Sequence, residues 1–239
     1  IEIRLKRQMP DMLQLLAQPE LGLLRGGRGA GPMKSTRSSD KELGLSGVML
    51  KPIAPEDRGL PPEEGWSRRV QPVQLSAVPA AKAIELFNAG EAEVVLGGSF
   101  IDYPRLGAAS VSGGAIRFDQ VAGLFGLAVI QDDGFLADSA NREAIAMAID
   151  RDALIGAVNL NGWTATTRVI NPGLDGDSGA IGERWAGRGI EDRRTAAAAR
   201  VAKWKGARGG ELALRIALPG GPGADLLFNR LAEDLKAIG

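Results

Sequence analysis

The stretch QPVQLSAVPAAKAIELFNAGEAEVVL, Gln71 to Leu96, passes from a period of two to a helical period and back. Val73, Leu75 and Ala77 alternate with polar neighbours, the pattern of a half-buried strand. Pro79 opens a helix at its first turn, because its missing N–H is one that no helix start can satisfy. Ala83, Ile84, Leu86 and Phe87 share the buried side of that helix, which Gly90 stops by taking a left-handed conformation. Ala92 to Leu96 then predicts a short buried strand, so the stretch is a strand-helix-strand unit of an α/β layer.

Towards the N-terminus the patterning weakens. Ile1, Ile3 and Leu5 alternate with charged residues as a strand, and Asp11 is placed to cap a short helix carrying Met12, Leu15 and Leu16 that Pro19 ends. Gly26 to Pro62 is rich in Gly, Pro and Ser and predicts loops with one or two short strands near Val48 to Leu50. Towards the C-terminus Ile116 to Ile130 predicts extended chain. Ser139 is expected to cap a helix over Asn141 to Ile149, and Asp150 to cap the next, through Val158. Helices over Asp192 to Trp204 and Ala224 to Ile238 flank a strand over Leu212 to Leu218.

Composition removes several functions. Lys plus Arg and Asp plus Glu are each 29, so the formal net charge is zero and no global field favours nucleic acid. Neither cysteine nor histidine occurs, which excludes disulfides, thiolate zinc sites and Ser-His-Asp or Cys-His catalysis. The apolar run Val121 to Ile130 is much shorter than the ~20 residues of a membrane-spanning helix. The start at Ile1 shows no basic and apolar leader, so the chain is expected to begin inside a longer protein.

The motifs that suggest chemistry fail on spacing. In Gly26 to Ser35, Pro32 stands where a phosphate loop needs lysine, and Gly27, Gly29 and Gly31 miss the dinucleotide spacing, which leaves a glycine-rich turn. Asp132-Asp133 and Asp175-Gly176-Asp177 lack the other ligands of a calcium loop and fit turn chemistry. Asp150-Arg151-Asp152 reads as a cap followed by a solvated face. Trp66, Trp163, Trp185 and Trp204 fit core or interface packing, with Trp163 in Asn161-Gly162-Trp163-Thr164 the best exception. No catalytic residue, metal ligand or cofactor is expected.

Asn141 to Ile155, NREAIAMAIDRDALI, resembles the helix R-x-A-h-x-x-A-I-D-R-x-x-h-I (h apolar) of the peptide and nickel class of ABC-importer extracytoplasmic solute-binding proteins. Ile1 to Arg25, the turn Gly29 to Met33, Ala83 to Val95 and Thr195 to Gly239 resemble further family segments in the same order. The chain departs from the pattern at Ala30, at Met33 and in the tyrosine-poor run Ala122 to Ala128. The resemblance implies an α/β periplasmic binding protein of class II type, with two lobes and a hinged cleft, incomplete in this chain. It implies a segment 1–31 of an incomplete subdomain, part of a first lobe over 32–128 and the first part of a second over 129–239.

By the same resemblance the function is capture of oligopeptides or a related small solute and delivery to permease subunits in the inner membrane. The expected protein is a periplasmic monomer that is not an enzyme and binds no nucleic acid. Gly98, Ser99 and Phe100, together with Phe125 before the lobe crossing and Trp163 after it, are the expected ligand-binding residues. The alternatives are a non-catalytic α/β interaction domain and a fragment of an α/β enzyme; absent histidine and absent G-x-S-x-G weigh against the second.

Overall fold

Apolar alternation and helix caps translate into different amounts of structure along this chain. A computed structural model describes residues 4–18, 24–25, 28–29, 31–40, 44–108, 116–119, 123–170 and 182–239. The chain divides into two compact units, Ile1–Val78 and Pro79–Gly239. Its described part is mixed α/β, with a three-stranded antiparallel sheet and seven α-helices.

In the first unit, helix α1 (Met12–Leu16) forms as expected, but the Asp11 side chain makes no capping bond. The strand expected over 1–5 and the helix stop at position 19 fall largely outside the described residues. A two-residue pair, β1 (Leu24–Arg25) and β2 (Arg28–Gly29), precedes the main sheet. That sheet is β3 (Met33–Asp40), β4 (Leu45–Pro52) and β5 (Val73–Ser76), in the order β3-β4-β5, antiparallel throughout.

Where loops with one or two short strands near Val48 to Leu50 were expected over Gly26 to Pro62, β4 covers that run, and the register Met33↔Pro52 to Asp40↔Leu45 makes a full eight-residue hairpin. β3 is largely polar, so its ladder rather than apolar alternation holds it. A 3-10 turn at Glu56–Arg58 and the short helix α2 (Trp66–Arg69) fill the connection to β5. The expected strand-helix-strand unit does not close: β5 pairs with β4, and Ala92 to Leu96 is not a buried strand. Those residues run without ladder partners, with Val94 68% and Leu96 77% exposed. The described parts of Ile116 to Ile130 are likewise irregular, and Ile130 is 88% exposed.

The second unit is built on helices. Helix α3 (Ala80–Asn88) buries Leu86, with Pro79 at the N-cap rather than inside the first turn. A 3-10 turn (Tyr103–Ala108) follows, and another (Gly134–Ala137) leads into α4 (Ser139–Ala148). Asp138, not Ser139, caps α4, its carboxylate accepting from the Ala140 N–H at 2.8 Å. Asp150 caps α5 (Arg151–Val158) as expected, accepting from the Ala153 N–H at 3.0 Å. Helices α6 (Ile190–Arg208) and α7 (Pro222–Lys236) complete the unit. Between them Leu212, Leu214, Ile216 and Leu218 are half-buried and their neighbours exposed, the expected alternation, but with no strand ladder.

Small side chains let α4 and α6 approach. Ala144, Ala148, Ala197 and Val201 are buried with Phe135, Met147, Trp185 and Ile238 in one cluster, where Phe135 meets Trp204 edge-on at 5.4 Å. Each large apolar side chain so buried stabilises the fold by about 1.5–3 kcal/mol. Polar bonds fix the angle. Buried Asn141 donates to the Phe135 carbonyl (2.7 Å) and accepts from Arg200 Nε (2.6 Å), while Arg200 also pairs with the capping Asp138.

Asp234 of α7 is fully buried and joins three elements. It accepts from Arg194 (2.6 Å), from Arg230 (2.7 Å) and from the Asp150 N–H (2.9 Å) at the α4–α5 junction. A buried carboxylate is tolerated when its lone pairs are met in this way.

Candidate functional site

Of the five expected ligand-binding residues, the three aromatic ones come together within the second unit. The approach to Phe100 is a reversal at Gly97 and Gly98, whose φ values of +79° and +96° suit residues without Cβ. Ser99 then anchors the turn. Its Oγ accepts from the Ile101 N–H at 3.3 Å, and its carbonyl accepts from the N–H groups of Asp102 and Tyr103. Ser99 and Gly98 remain exposed beside the ring of Phe100.

The start of α7 holds this turn in place. The Gly223 N–H donates to the Ile101 carbonyl at 2.7 Å, and a Cβ on Gly223 would lie 1.9 Å from the Phe100 oxygen. Only glycine permits so close an approach of helix and loop. Trp163 comes from the segment that follows α5. Asn159 ends α5 in a left-handed conformation, Leu160 is buried, and Trp163 follows the turn at Asn161-Gly162.

The rings of Phe100 and Phe125 stand 4.8 Å apart at 61°, and those of Phe100 and Trp163 5.7 Å apart at 60°. Phe125 stacks on Trp163 at 5.8 Å and 24°. Edge-to-face and stacked pairs of this kind are each worth about 0.5–1.5 kcal/mol beyond area burial. Beneath them lie the buried Val158, Leu160 and Leu227, against which Phe100, Trp163, Tyr103, Leu154 and Leu218 pack. The outer side is open, since Phe125 is 42% exposed.

None of the five side chains titrates near neutral pH. The three rings offer apolar surface for stacking, and the Ser99 hydroxyl serves the turn that precedes them by accepting the Ile101 N–H. Among the described residues hollows lie in each unit, and none of the five lines the two named here. One, of about 290 Å³, lies in the first unit among Pro32, Met33, Ile53, Trp66 and Val70. The other lies in the second unit beside Arg151.

Arg151 itself departs from the solvated-face expectation. It is half-buried, donating to the carbonyls of Ala146 (3.0 Å) and Ile149 (3.4 Å) at the end of α4. Sequence spacing alone did not signal this role. The pair Asp175 and Asp177 lies outside the described residues, and among those described no group of three acidic side chains could hold a metal ion. Nor is any described helix long and apolar enough to cross a membrane.

No protein-family model, curated protein or solved structure matches the chain.

Proposed function

We propose that the chain is part of an extracytoplasmic solute-binding protein of an ABC importer, which captures oligopeptides or a related small solute and delivers it to membrane permeases. The observation that carries this reading is the meeting of Phe100, Phe125 and Trp163. They come from three separate segments, and the expected lobe boundary near 128 falls between Phe125 and Trp163. An aromatic platform at a lobe crossing suits a hinged cleft that closes on ligand, and the exposed part of Phe125 suits contact with an apolar side chain of a peptide. On this reading the architecture is of the two-lobed class II type and the site is periplasmic.

The test is thermal unfolding and tryptophan fluorescence of the chain against di- to pentapeptides with and without an aromatic residue. The expected result is a concentration-dependent rise in midpoint with aromatic or apolar peptides, lost in Trp163→Ala. A folded chain that responds to no peptide, or whose response survives Trp163→Ala, would refute it.

One observation favours a second reading, a non-catalytic interaction domain. Val94, Leu96 and Ile130 are exposed apolar side chains on irregular chain with no ladder partner among the described strands, and exposed apolar side chains of this kind can serve protein association. Val94→Asp and Leu96→Asp separate the two: they leave peptide binding intact on the first reading and abolish protein association on the second.

A further inference from the structure

The first turns of α5 and α6 and the segment Ala165 to Arg168 border a hollow of about 360 Å³ lined by Arg151, Asp152, Ala165, Thr166, Thr167, Arg168 and Arg193. Three guanidinium-bearing residues share it with one carboxylate, and the starts of two helices add positive partial charge. Two of the cations converge on one ring: Cζ of Arg193 lies 5.1 Å, and that of Arg151 5.8 Å, from the centre of Trp185. Such stacking fixes the planes of both groups but does nothing for their mutual repulsion.

Arg193 is partly buried against Trp185. Its Nε is buried and has no hydrogen-bond partner, and a buried donor left in that state is destabilising. Arg151 is held by the two α4 carbonyls, so its orientation is set before any ligand arrives. Burial and the neighbouring Arg193 charge lower the Arg151 pKa, with Glu183 acting in the opposite direction. Thr166 Oγ1 accepts from the Arg168 N–H at 3.0 Å, which leaves its own hydrogen to donate. Asp152 is exposed at the margin.

We infer that this hollow is a binding site for a small oxyanion, a carboxylate or phosphoryl group held between Arg151, Arg193 and the threonines. A planar fork of donors matches two oxygens of such a group, and an anion there would meet the guanidinium groups that border the hollow and screen the two cations from each other. The site shares no residue with the aromatic cluster and does not rest on the importer reading.

The experiment titrates the full chain with inorganic phosphate and, separately, with acetate and succinate, at constant ionic strength set by chloride. The arginine Nε–H and tryptophan indole NMR resonances are followed, together with the melting temperature. The expected result is a saturable shift confined to Arg151, Arg193 and Trp185 with a Kd in the millimolar range or tighter; phosphate alone marks a phosphoryl site, and the carboxylates alone a carboxylate site. Arg193→Gln, which keeps the Cβ and Cγ of the stem and removes the guanidinium that lies over Trp185, is expected to weaken binding at least tenfold in a chain that still melts cooperatively. Thr167→Val, which keeps all three arginines, is expected to weaken binding less. Shifts that are linear and equal for every salt, or an Arg193→Gln chain that titrates like the parent, would overturn the site.

Discussion

Replacing Asp234 by alanine removes one side chain from three partners at once. The carboxylate takes hydrogen bonds from Arg194 at 2.6 Å, Arg230 at 2.7 Å and the Asp150 N–H at 2.9 Å. Hydrogen bonds to a charged group are worth about 1.5–3 kcal/mol each, so a simple sum would exceed 4 kcal/mol. Two features reduce it. Arg194 keeps the Ala148 carbonyl (3.3 Å) and Glu191 (3.7 Å), and Arg230 keeps Glu233 at 3.2 Å. Both arginine side chains also retain some contact with water. The expected loss is therefore about 3–5 kcal/mol, the usual cost of breaking a buried pair from one side. For a chain of this length that is roughly 6–20 °C in melting temperature.

Urea unfolding followed by tryptophan fluorescence measures it. Trp163, Trp185 and Trp204 belong to the second unit and Trp66 to the first, so a Trp66→Phe background isolates the unit that contains Asp234. A loss below about 1 kcal/mol would show that the two arginines do not depend on this carboxylate, and the account of α7 docking would be wrong.

Gly223→Ala places a methyl group 1.9 Å from the Phe100 oxygen, so α7 and the Phe100 turn must separate. The expected cost is about 1–3 kcal/mol, with a changed Trp163 near-ultraviolet signal as the ring contacts loosen. Unchanged stability and spectrum would count against that contact. Gly47→Ala puts a Cβ 2.1 Å from the Leu75 oxygen and should detach β5 from β4. Hydrogen exchange should then quicken at residues 47–50 and 73–76 while α4, α6 and α7 stay protected; loss of protection in both sets would contradict it.

Helix signals were the most legible part of the sequence because they are local. Asp150 could be read as a cap since its partner is three residues away, and α7 follows its apolar period. What failed depends on distant chain. β3 has little apolar alternation, and only its register with β4 makes it a strand. Ala92 to Leu96 has the composition of a buried strand, but no described strand pairs with it. Phe100 and Phe125 were singled out through family resemblance and Trp163 from its loop, but that the three rings meet was not legible, because they come from different segments. Asp234 looked like any acidic residue on a helix; Arg194 is 40 positions away and Asp150 84, separations that no local pattern reveals.

Residues 211–218 show side-chain order uncoupled from backbone pairing. Leu212 and Leu214 pack against the α4–α6 cluster and Leu218 against the one beneath the rings, yet no ladder fixes the peptide groups between them. Amides without a ladder are open to solvent exchange even where neighbouring methyl groups are immobile. The segment is therefore a row of apolar pegs: its side chains link the core packed on α6 to the one packed on α7, beside the Arg194–Asp234 ion pair that already joins the two helices, and hydrogen exchange at 211–218 is expected to be faster than within either helix.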